Sequence, residues 1–209
     1  MQFTEPISTA FPGLHSRVLG VLIRTDRSLT GRAVAGLLRT PASTSGVQKV
    51  LDDLVRNGLV DAEPAGRAKL YRLNRDHVAY PAINDLVHLR EILLARMRAE
   101  AEGWKIPAVA VWLFGPSARG KAGAGGELDV LVVRPDMIDD ADPRWLNQLE
   151  TLSEHASRWS GNPCETREYS TSELKRFVRR GERLIADLRR DAIAITGSPP
   201  RQFLTRKAG

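Results

Sequence analysis

The chain has 209 residues, one cysteine and a formal net charge of +6, so it suits one or two domains and cannot form an internal disulfide framework. Its first residues lack the basic start and apolar core of a signal peptide, and no apolar run approaches the roughly 20 residues that a membrane helix needs. We therefore expect a soluble, cytoplasmic protein without a membrane partner. Residues 1–75 hold 11 Lys and Arg against 6 Asp and Glu, which favours a polyanionic partner for this region.

The first third of the chain predicts three helices followed by a hairpin. Apolar residues recur there at helical spacing. Thr30 is placed to cap the second helix, and either Ser43 or Thr44 the third. Two short strands then flank a Pro-Ala-Gly turn at 64–66. This order resembles the winged helix-turn-helix, and residues 10–80 are assigned to such a domain.

The winged-helix resemblance implies binding to double-stranded DNA. In that fold the third helix enters the major groove and the wing contacts the backbone. Polar side chains at the start of the helix read bases, whereas basic side chains beside the wing meet phosphates. The alternative is a winged module used for protein contacts. The predicted DNA-binding residues are Ser43, Thr44, Ser45, Gln48, Lys49, Arg67 and Lys69.

Residues 81–103 predict a single linker helix that is apolar on more than one side. Such a helix packs between domains or against a second copy of the chain, and the sequence leaves both alternatives open. Winged-helix regulators usually read two half-sites as dimers. We therefore expect a homodimer with this helix in its interface.

From residue 104 to 197 the pattern becomes α/β. Two buried strands flank a glycine-rich loop, and a helix follows Pro143. The segment CETREYS predicts a third strand, and Ser170 with Glu173 has the spacing of a capping box that opens a further helix. Residues 198–209 are expected to form a flexible tail. The predicted fold class is thus α+β, with a winged helix-turn-helix, a linker helix and a C-terminal mixed α/β domain.

The stretch FGPSARGKAGAGGELDVLVV, residues 114–133, joins the two buried strands. Glu127 and Asp129 point to the same face of the second strand, where two anions repel each other and lose solvation. A divalent cation resolves that conflict, because Mg²⁺ takes hard oxygen ligands and shares them with substrate phosphates. The N–H groups of the loop suit a phosphate. These residues therefore predict a site for Mg²⁺ and a nucleoside triphosphate (NTP).

The same stretch resembles the motif FGSxARGxAxxxSDxDLLVV of the minimal nucleotidyltransferase domain, in the polymerase-beta-like superfamily, with equal length and no gap. The resemblance covers about residues 105–197. It implies that Glu127 and Asp129 are catalytic residues that hold Mg²⁺. It also implies that the third carboxylate, which helps to activate the attacking hydroxyl, is Glu168 as first choice or Glu165 as second.

For the nucleotide, the resemblance implies binding by Gly115, Ser117 and Arg119, with the alternative that Arg119 only braces the loop. Two departures from the motif matter. Pro116 stands in place of the phosphate-binding serine and has neither a hydroxyl nor an N–H. Glu127 is one methylene longer than the usual aspartate, which changes the metal geometry. Both a competent transferase site and a degenerate one are therefore open.

Three functions are compatible with these features. The leading prediction is a DNA-binding transcriptional regulator whose C-terminal domain binds nucleotide, with or without transfer. The alternative is an active, Mg²⁺-dependent nucleotidyltransferase that moves NMP from NTP to a hydroxyl on a protein, RNA or small molecule. The third is an antitoxin with a toxin partner, because minimal nucleotidyltransferases are often paired with toxins.

Overall fold

The computed structural model describes residues 1–205 of the chain, which form an α+β fold. The chain divides into two compact units. The N-terminal unit comprises Gln2 and Thr4–Arg90, and the C-terminal unit comprises Met1, Phe3 and the chain from Glu91 onward. No helix within residues 1–205 is long and apolar enough to cross a membrane.

The N-terminal unit contains the three helices and the hairpin that the sequence predicts, plus a two-residue strand that it did not predict. A short 3₁₀ turn, Pro6–Thr9, precedes them. The three strands form an antiparallel sheet in the order β1-β3-β2. The elements are α1 (Leu14–Ile23), β1 (Leu29–Thr30), α2 (Gly31–Leu37), α3 (Thr44–Arg56), β2 (Val60–Ala65), β3 (Ala68–Leu73) and α4 (Tyr80–Val87).

Local capping explains where two of these helices begin. The side chain of Thr30 accepts a hydrogen bond from the backbone N–H of Ala33, and that of Ser43 accepts one from Gly46. Each bond satisfies a donor that the first helical turn leaves without a partner. The apolar sides of the helices are then fully buried, as at Val18, Val34, Val47 and Leu51.

Two helices replace the single linker helix predicted over 81–103. The first is α4, and the second is α5 (Leu89–Glu102). α4 ends at His88, where the backbone leaves the helical region, with φ −101° and ψ 22°; the ring Nδ1 of His88 lies 2.7 Å from the carbonyl of Asn84. The boundary between the two units falls within α5, between Arg90 and Glu91.

The C-terminal unit is a four-stranded sheet with helices. The strand order is β6-β5-β4-β7, in which β5 and β6 are parallel and the other neighbours antiparallel. The capping box of Ser170 and Glu173 is present at the start of α8. The elements are β4 (Ala110–Phe114), α6 (Gly115–Ala118), β5 (Leu128–Arg134), α7 (Pro143–Ser160), β6 (Cys164–Ser170), α8 (Thr171–Arg180), α9 (Arg183–Asp191), β7 (Ile193–Gly197) and α10 (Pro200–Phe203).

The two faces of this sheet have different neighbours. Alternate residues of β4 and β5, among them Trp112, Phe114 and Leu131, form a core with Leu174 of α8 and Ile185 of α9. Because neighbouring residues on a strand point to opposite faces, the remaining strand residues lie on the other face. We call the first face the α9 face and the second the α7 face.

The segment after residue 197 differs from the flexible tail that was expected. Residues 200–203 form α10, and Leu204 is fully buried. The ring of Phe203 packs edge-on against Trp112, with ring centroids 5.4 Å apart. Two apolar side chains thus anchor this segment to the α9 face. Residues 206–209 of the expected tail lie outside the described residues.

Candidate functional site

Three carboxylates meet at the start of β5. Asp129 pairs with Phe114 of β4 on one side and with Glu165 of β6 on the other. Glu127 lies two residues before Asp129. Carboxylate oxygens of Glu127, Asp129 and Glu165 all lie within 4.8 Å of one another. We call these three residues the carboxylate cluster. Its oxygen ligands and its spacing suit a divalent cation.

The charges around the cluster leave it negative. Burial raises the pKa of Asp129, and Glu127 and Glu165 raise it further, while Arg167 and Arg119 act in the opposite direction. The neighbouring Cys164 precedes Glu165 by one residue on β6 and so points to the α7 face, and burial raises the pKa of its thiol to about 12. An added cation would therefore stabilise the ionised carboxylates.

Glu168, the first choice for the third carboxylate, is not part of the cluster. It lies three residues after Glu165 on β6 and so points to the α7 face. There its Oε2 accepts hydrogen bonds from Arg134 Nε at 2.7 Å and from Trp145 Nε1 at 3.2 Å. The prediction of Glu168 was wrong, and Glu165, the second choice, occupies the position beside Asp129.

Gly115 brings the loop backbone against Asp129. Its φ of +70° lies in the left-handed region, and a Cβ built there would collide with Asp129 Oδ2. Glycine is therefore required on two counts, because a side chain would strain the backbone and displace the carboxylate. The loop backbone therefore lies directly against one member of the cluster, and nucleotide binding by Gly115 stays a prediction.

Ser117 and Arg119 make structural contacts in place of the predicted nucleotide contacts. Ser117 is fully buried, and its hydroxyl donates a hydrogen bond to the backbone carbonyl of Glu127. Arg119 pairs with Asp191 of α9, whose side chain is only 7% exposed. Ser117 thus positions Glu127, and Arg119 braces the loop against α9.

Asn162 is a contributor that the sequence reasoning missed. It is 1% exposed, and its Nδ2 donates to the carbonyl of Gly126 at 2.7 Å and to that of Gly123 at 3.2 Å. The glycine-rich turn that leads into Glu127 is therefore held to the segment before β6. Within the sequence, Gly-Asn-Pro at 161–163 signals only a turn, and nothing local indicates this distant contact.

A cleft opens beside the cluster on the side of the glycine-rich loop. Its volume is about 450 Å³, which lies within the range of small-molecule sites. Lys121 contributes a cation to its lining, together with Pro116, Gly126 and two members of the cluster, Glu127 and Asp129. The cleft therefore has room for a nucleotide next to the carboxylates.

In the N-terminal unit, the start of α3 presents some of the predicted DNA-binding residues but not all. Thr44, Ser45 and Lys49 are exposed. Gln48 is half-buried, because its Nε2 donates to Tyr71 Oη at 2.6 Å and to Asp52 Oδ1 at 3.0 Å. The prediction that Gln48 points outward to read a base was wrong, since its amide ties α3 to the sheet.

The hairpin carries the predicted basic side chains on its surface. Arg67 lies in the turn and Lys69 on β3, and both are exposed. The turn consists of residues 66 and 67 and not of 64–66 as expected, because Pro64 and Ala65 belong to β2 and Ala65 pairs with Ala68 across the turn. Ser43 is exposed, and its hydroxyl oxygen accepts the capping hydrogen bond from the backbone N–H of Gly46.

The sequence matches no protein-family model and no curated protein. Among solved structures, it is similar to a toxin–antitoxin with AMP-PNP, at 14% identity over 55% of this chain and 78% of that one, with a TM-score of 0.32. A mutant of the toxin–antitoxin MntA–HpeT gives 13% identity, 55% and 78% coverage, and a TM-score of 0.31. TrmBL2, an archaeal chromatin protein described as showing a novel mode of DNA binding, gives 17% identity, 90% and 73% coverage, and a TM-score of 0.30. These TM-scores are too low to assign a fold family or a function to this chain.

Proposed function

We propose that the C-terminal unit binds a nucleoside triphosphate together with Mg²⁺, and that the N-terminal unit binds duplex DNA. The protein would then be a DNA-binding transcriptional regulator with a nucleotide-binding second unit. One observation carries the nucleotide part: three carboxylates from one strand and its neighbour gather within 4.8 Å of one another. Anions this close favour a bound cation, and Mg²⁺ is commonly shared between carboxylates and phosphates.

The donor set fits Mg²⁺. Glu127, Asp129 and Glu165 offer oxygen ligands, which this hard cation prefers. Glu127, Asp129 and Glu165 would hold the ion. Ser117 fixes the backbone carbonyl of Glu127, and Asn162 fixes that of the preceding Gly126. When bound, the ion would offset the charge of the carboxylates and polarise a phosphate oxygen.

Nucleotidyl transfer is the alternative function that the same residues support. The oxygen of an acceptor hydroxyl would attack the α-phosphorus, the bond to the leaving pyrophosphate would break, and pyrophosphate would keep the electron pair. Glu165, whose side chain is 56% exposed, is placed to accept the proton of that hydroxyl. The acceptor hydroxyl would belong to a protein, an RNA or a small molecule.

Calorimetric titration of the full chain with ATP, GTP, CTP and UTP, each with and without Mg²⁺, tests the nucleotide proposal. We expect Mg²⁺-dependent binding that Asp129→Asn abolishes. Glu154→Gln, which removes an exposed carboxylate of α7, is the matched control and should bind like the native protein. If the native chain binds none of the four with Mg²⁺, the proposal is wrong. Release of pyrophosphate that depends on Asp129 would establish the transferase alternative.

DNA binding is favoured by a separate observation. The start of α3 exposes Thr44, Ser45 and Lys49, and the hairpin exposes Arg67 and Lys69, which is the distribution that a winged helix needs for groove and backbone contacts. A polyanion would neutralise the basic side chains and release counterions.

Fluorescence anisotropy of the full chain with random-sequence duplexes, over a series of salt concentrations, tests this interpretation. Lys49→Ala and Arg67→Ala should each weaken binding, and Arg67→Ala should reduce the salt slope by about 1 without changing sequence preference. Lys175→Ala, an exposed lysine of the C-terminal unit, serves as control. Absence of duplex affinity even at low salt would refute the regulator proposal.

Two partner proposals complete this function. We retain a homodimer because winged-helix proteins read two half-sites. The large apolar side chains of α4 and α5 are buried or half-buried within the chain, so their exposure gives no evidence for or against a dimer. Sedimentation at micromolar concentration tests the homodimer directly, and a monomeric protein would refute it. A toxin partner would be identified by co-purification with the product of a neighbouring gene.

A further inference from the structure

A second cleft lies beside Gly115, between β4, β6 and α9. Its volume is about 440 Å³, and Phe114 and Gly115 line it together with residues from α9. Its charged lining consists of Arg119, Arg167, Arg183, Arg190, Asp187 and Asp191. We call it the arginine cleft. Because it includes Gly115, which contacts Asp129 closely, it adjoins the predicted metal site directly.

Arg167 links the arginine cleft to the carboxylate cluster. It follows Glu165 by two residues on β6 and therefore points to the same α9 face. Its guanidinium lies 3.3 Å from Glu165 Oε2 and 5.9 Å from the centroid of the Phe114 ring. The side chain remains 46% exposed, so one guanidinium faces both the cluster and the cleft.

The charges of the arginine cleft do not balance, since four guanidiniums face two carboxylates. Asp191 is 7% exposed and is already held by Arg119 and Arg190. Asp187 lies 2.8 Å from Arg190 but 4.0 Å from Arg183, whose side chain is 95% exposed. Arg183 is thus the guanidinium most available to an incoming anion, and Arg167, which is 46% exposed beside Glu165, lies where it could contact an anion bound next to the cluster.

Two positions of the α6 loop do not supply a side-chain or backbone donor that the nucleotidyltransferase motif would provide there. Pro116 has no N–H, and the hydroxyl of Ser117 is buried and bonded to Glu127. Guanidinium groups present paired N–H donors in a planar fork that matches phosphate oxygens. The phosphate contacts that the loop lacks are therefore available from α9 and β6.

We propose that the arginine cleft binds the polyphosphate of the nucleoside triphosphate whose metal is held by the carboxylate cluster, with Arg167 and Arg183 as its principal contacts. This inference rests on the proposed nucleotide binding and adds the subsite for the phosphates. Asp187 would compete with the phosphates there, because its carboxylate pairs with Arg190 at 2.8 Å and lies 4.0 Å from Arg183.

Calorimetry of the full chain with Mg·ATP, Mg·AMP and inorganic tripolyphosphate tests the subsite. The Arg167→Gln/Arg183→Gln double variant should lose about tenfold or more in affinity for Mg·ATP, because charge-assisted hydrogen bonds to phosphate are lost. Its affinity for Mg·AMP should change by less than about twofold, since AMP lacks the distal phosphates. Arg179→Gln, an exposed arginine of α8, is the control and should behave like the native protein.

A variant that is expected to bind more tightly tests the subsite separately, because a misfolded protein would not gain affinity. Asp187→Asn should raise the affinity for Mg·ATP and for tripolyphosphate by about threefold, because it removes the competing anion. Tripolyphosphate binding should survive Asp129→Asn, which distinguishes the cleft from the metal site.

The possible failures are distinguishable. If Asp129→Asn abolishes Mg·ATP binding while the double arginine variant keeps native affinity for Mg·ATP and tripolyphosphate, the subsite is wrong and the proposed function stands. If no NTP binds but tripolyphosphate binds through Arg167 and Arg183, the cleft is an anion site and the nucleotide proposal fails.

Discussion

Glu165 and Glu168 lie three residues apart on β6, yet the two faces of the sheet give them opposite surroundings. On the α7 face, Glu168 is 22% exposed and is matched by Arg134, with Trp145 as a second donor. On the α9 face, Glu165 stands beside two further carboxylates. On the first face a largely buried guanidinium matches the single carboxylate, whereas on the second face three carboxylates gather beside the half-exposed Arg167. A carboxylate of the first kind stabilises the fold, and one of the second kind is available to a ligand.

The largest expected effect comes from breaking the ion pair on the α7 face. Arg134→Ala should lower the free energy of unfolding by about 3 kcal/mol, because it leaves a largely buried carboxylate without its partner. Urea unfolding of the full chain measures this. The control Arg144→Ala removes an exposed arginine, which is 73% exposed beside Asp142, and should cost less than about 1 kcal/mol. Equal losses in the two variants would contradict the contrast between the faces.

A paired substitution on β6 sharpens the comparison. Glu165→Gln should weaken Mg²⁺ binding by about tenfold or more and leave the unfolding midpoint nearly unchanged, because it removes an exposed ligand. Glu168→Gln should do the reverse, since it weakens the bond to Arg134 without touching the cluster. Calorimetry and urea unfolding on both variants give the four values needed. If Glu168→Gln lowered Mg²⁺ affinity and Glu165→Gln did not, Glu168 would be the third carboxylate of the site.

A smaller effect on Mg²⁺ affinity is expected for Asn162, which positions the turn before the cluster and supplies no ligand atom. Asn162→Ala removes the donors to Gly123 and Gly126, so the turn before Glu127 loses its anchor. We expect Mg²⁺ affinity to fall by about threefold, which is less than the loss from a residue bonded directly to a ligand side chain. Asn147→Ala, an exposed asparagine of α7, is the control. Native Mg²⁺ affinity in a folded Asn162→Ala protein would remove this positioning role.

The smallest effect concerns pH and the helix on the α7 face. The side-chain hydrogen bond from Arg144, with a further bond from the Arg144 backbone N–H, lowers the pKa of Asp142, the N-cap of α7, to about 2. The folded state therefore favours ionised Asp142, and this stabilisation is present at neutral pH and lost as pH falls from about 4, where a free aspartate titrates. Asp142→Asn should lower Tm slightly at pH 7, by an amount that narrows as pH falls. A difference in Tm between the native protein and Asp142→Asn that widens in acid would contradict the lowered pKa of Asp142. The substitution should not change Mg²⁺ affinity.

Local signals in the sequence were sufficient for much of the fold. The caps at Thr30 and Ser43, and the capping box at Ser170 and Glu173, each involve residues three apart, so the sequence contains the whole interaction. The carboxylate pair Glu127 and Asp129 was predicted for the same reason, because alternation along one strand fixes its face.

The errors arose where a residue distant in sequence determines the orientation or the contacts of a side chain. Glu165 and Glu168 differ in parity, and only the pairing with β5 shows which one lies beside Asp129. Gln48 has the spacing of an outward residue on α3, but Tyr71 of β3 draws its amide inward. At His88 the backbone leaves the helical region, and the apolar spacing over residues 81–103 does not reveal this break. Strand register and long-range hydrogen bonds belong to the tertiary structure, and secondary-structure propensity carries no information about them.

Gly115 has a consequence for how this protein can change over generations. Any side chain there would occupy the space that the Asp129 carboxylate fills, so the two positions should show strong epistasis. In a saturation-mutagenesis library selected for metal binding, position 115 should accept no residue except glycine. In a library selected only for folding, bulkier residues at 115 should appear together with shorter ones at 129. A lineage that fixed such a pair could regain the metal site only by reversing both substitutions, so the loss would act as an evolutionary ratchet.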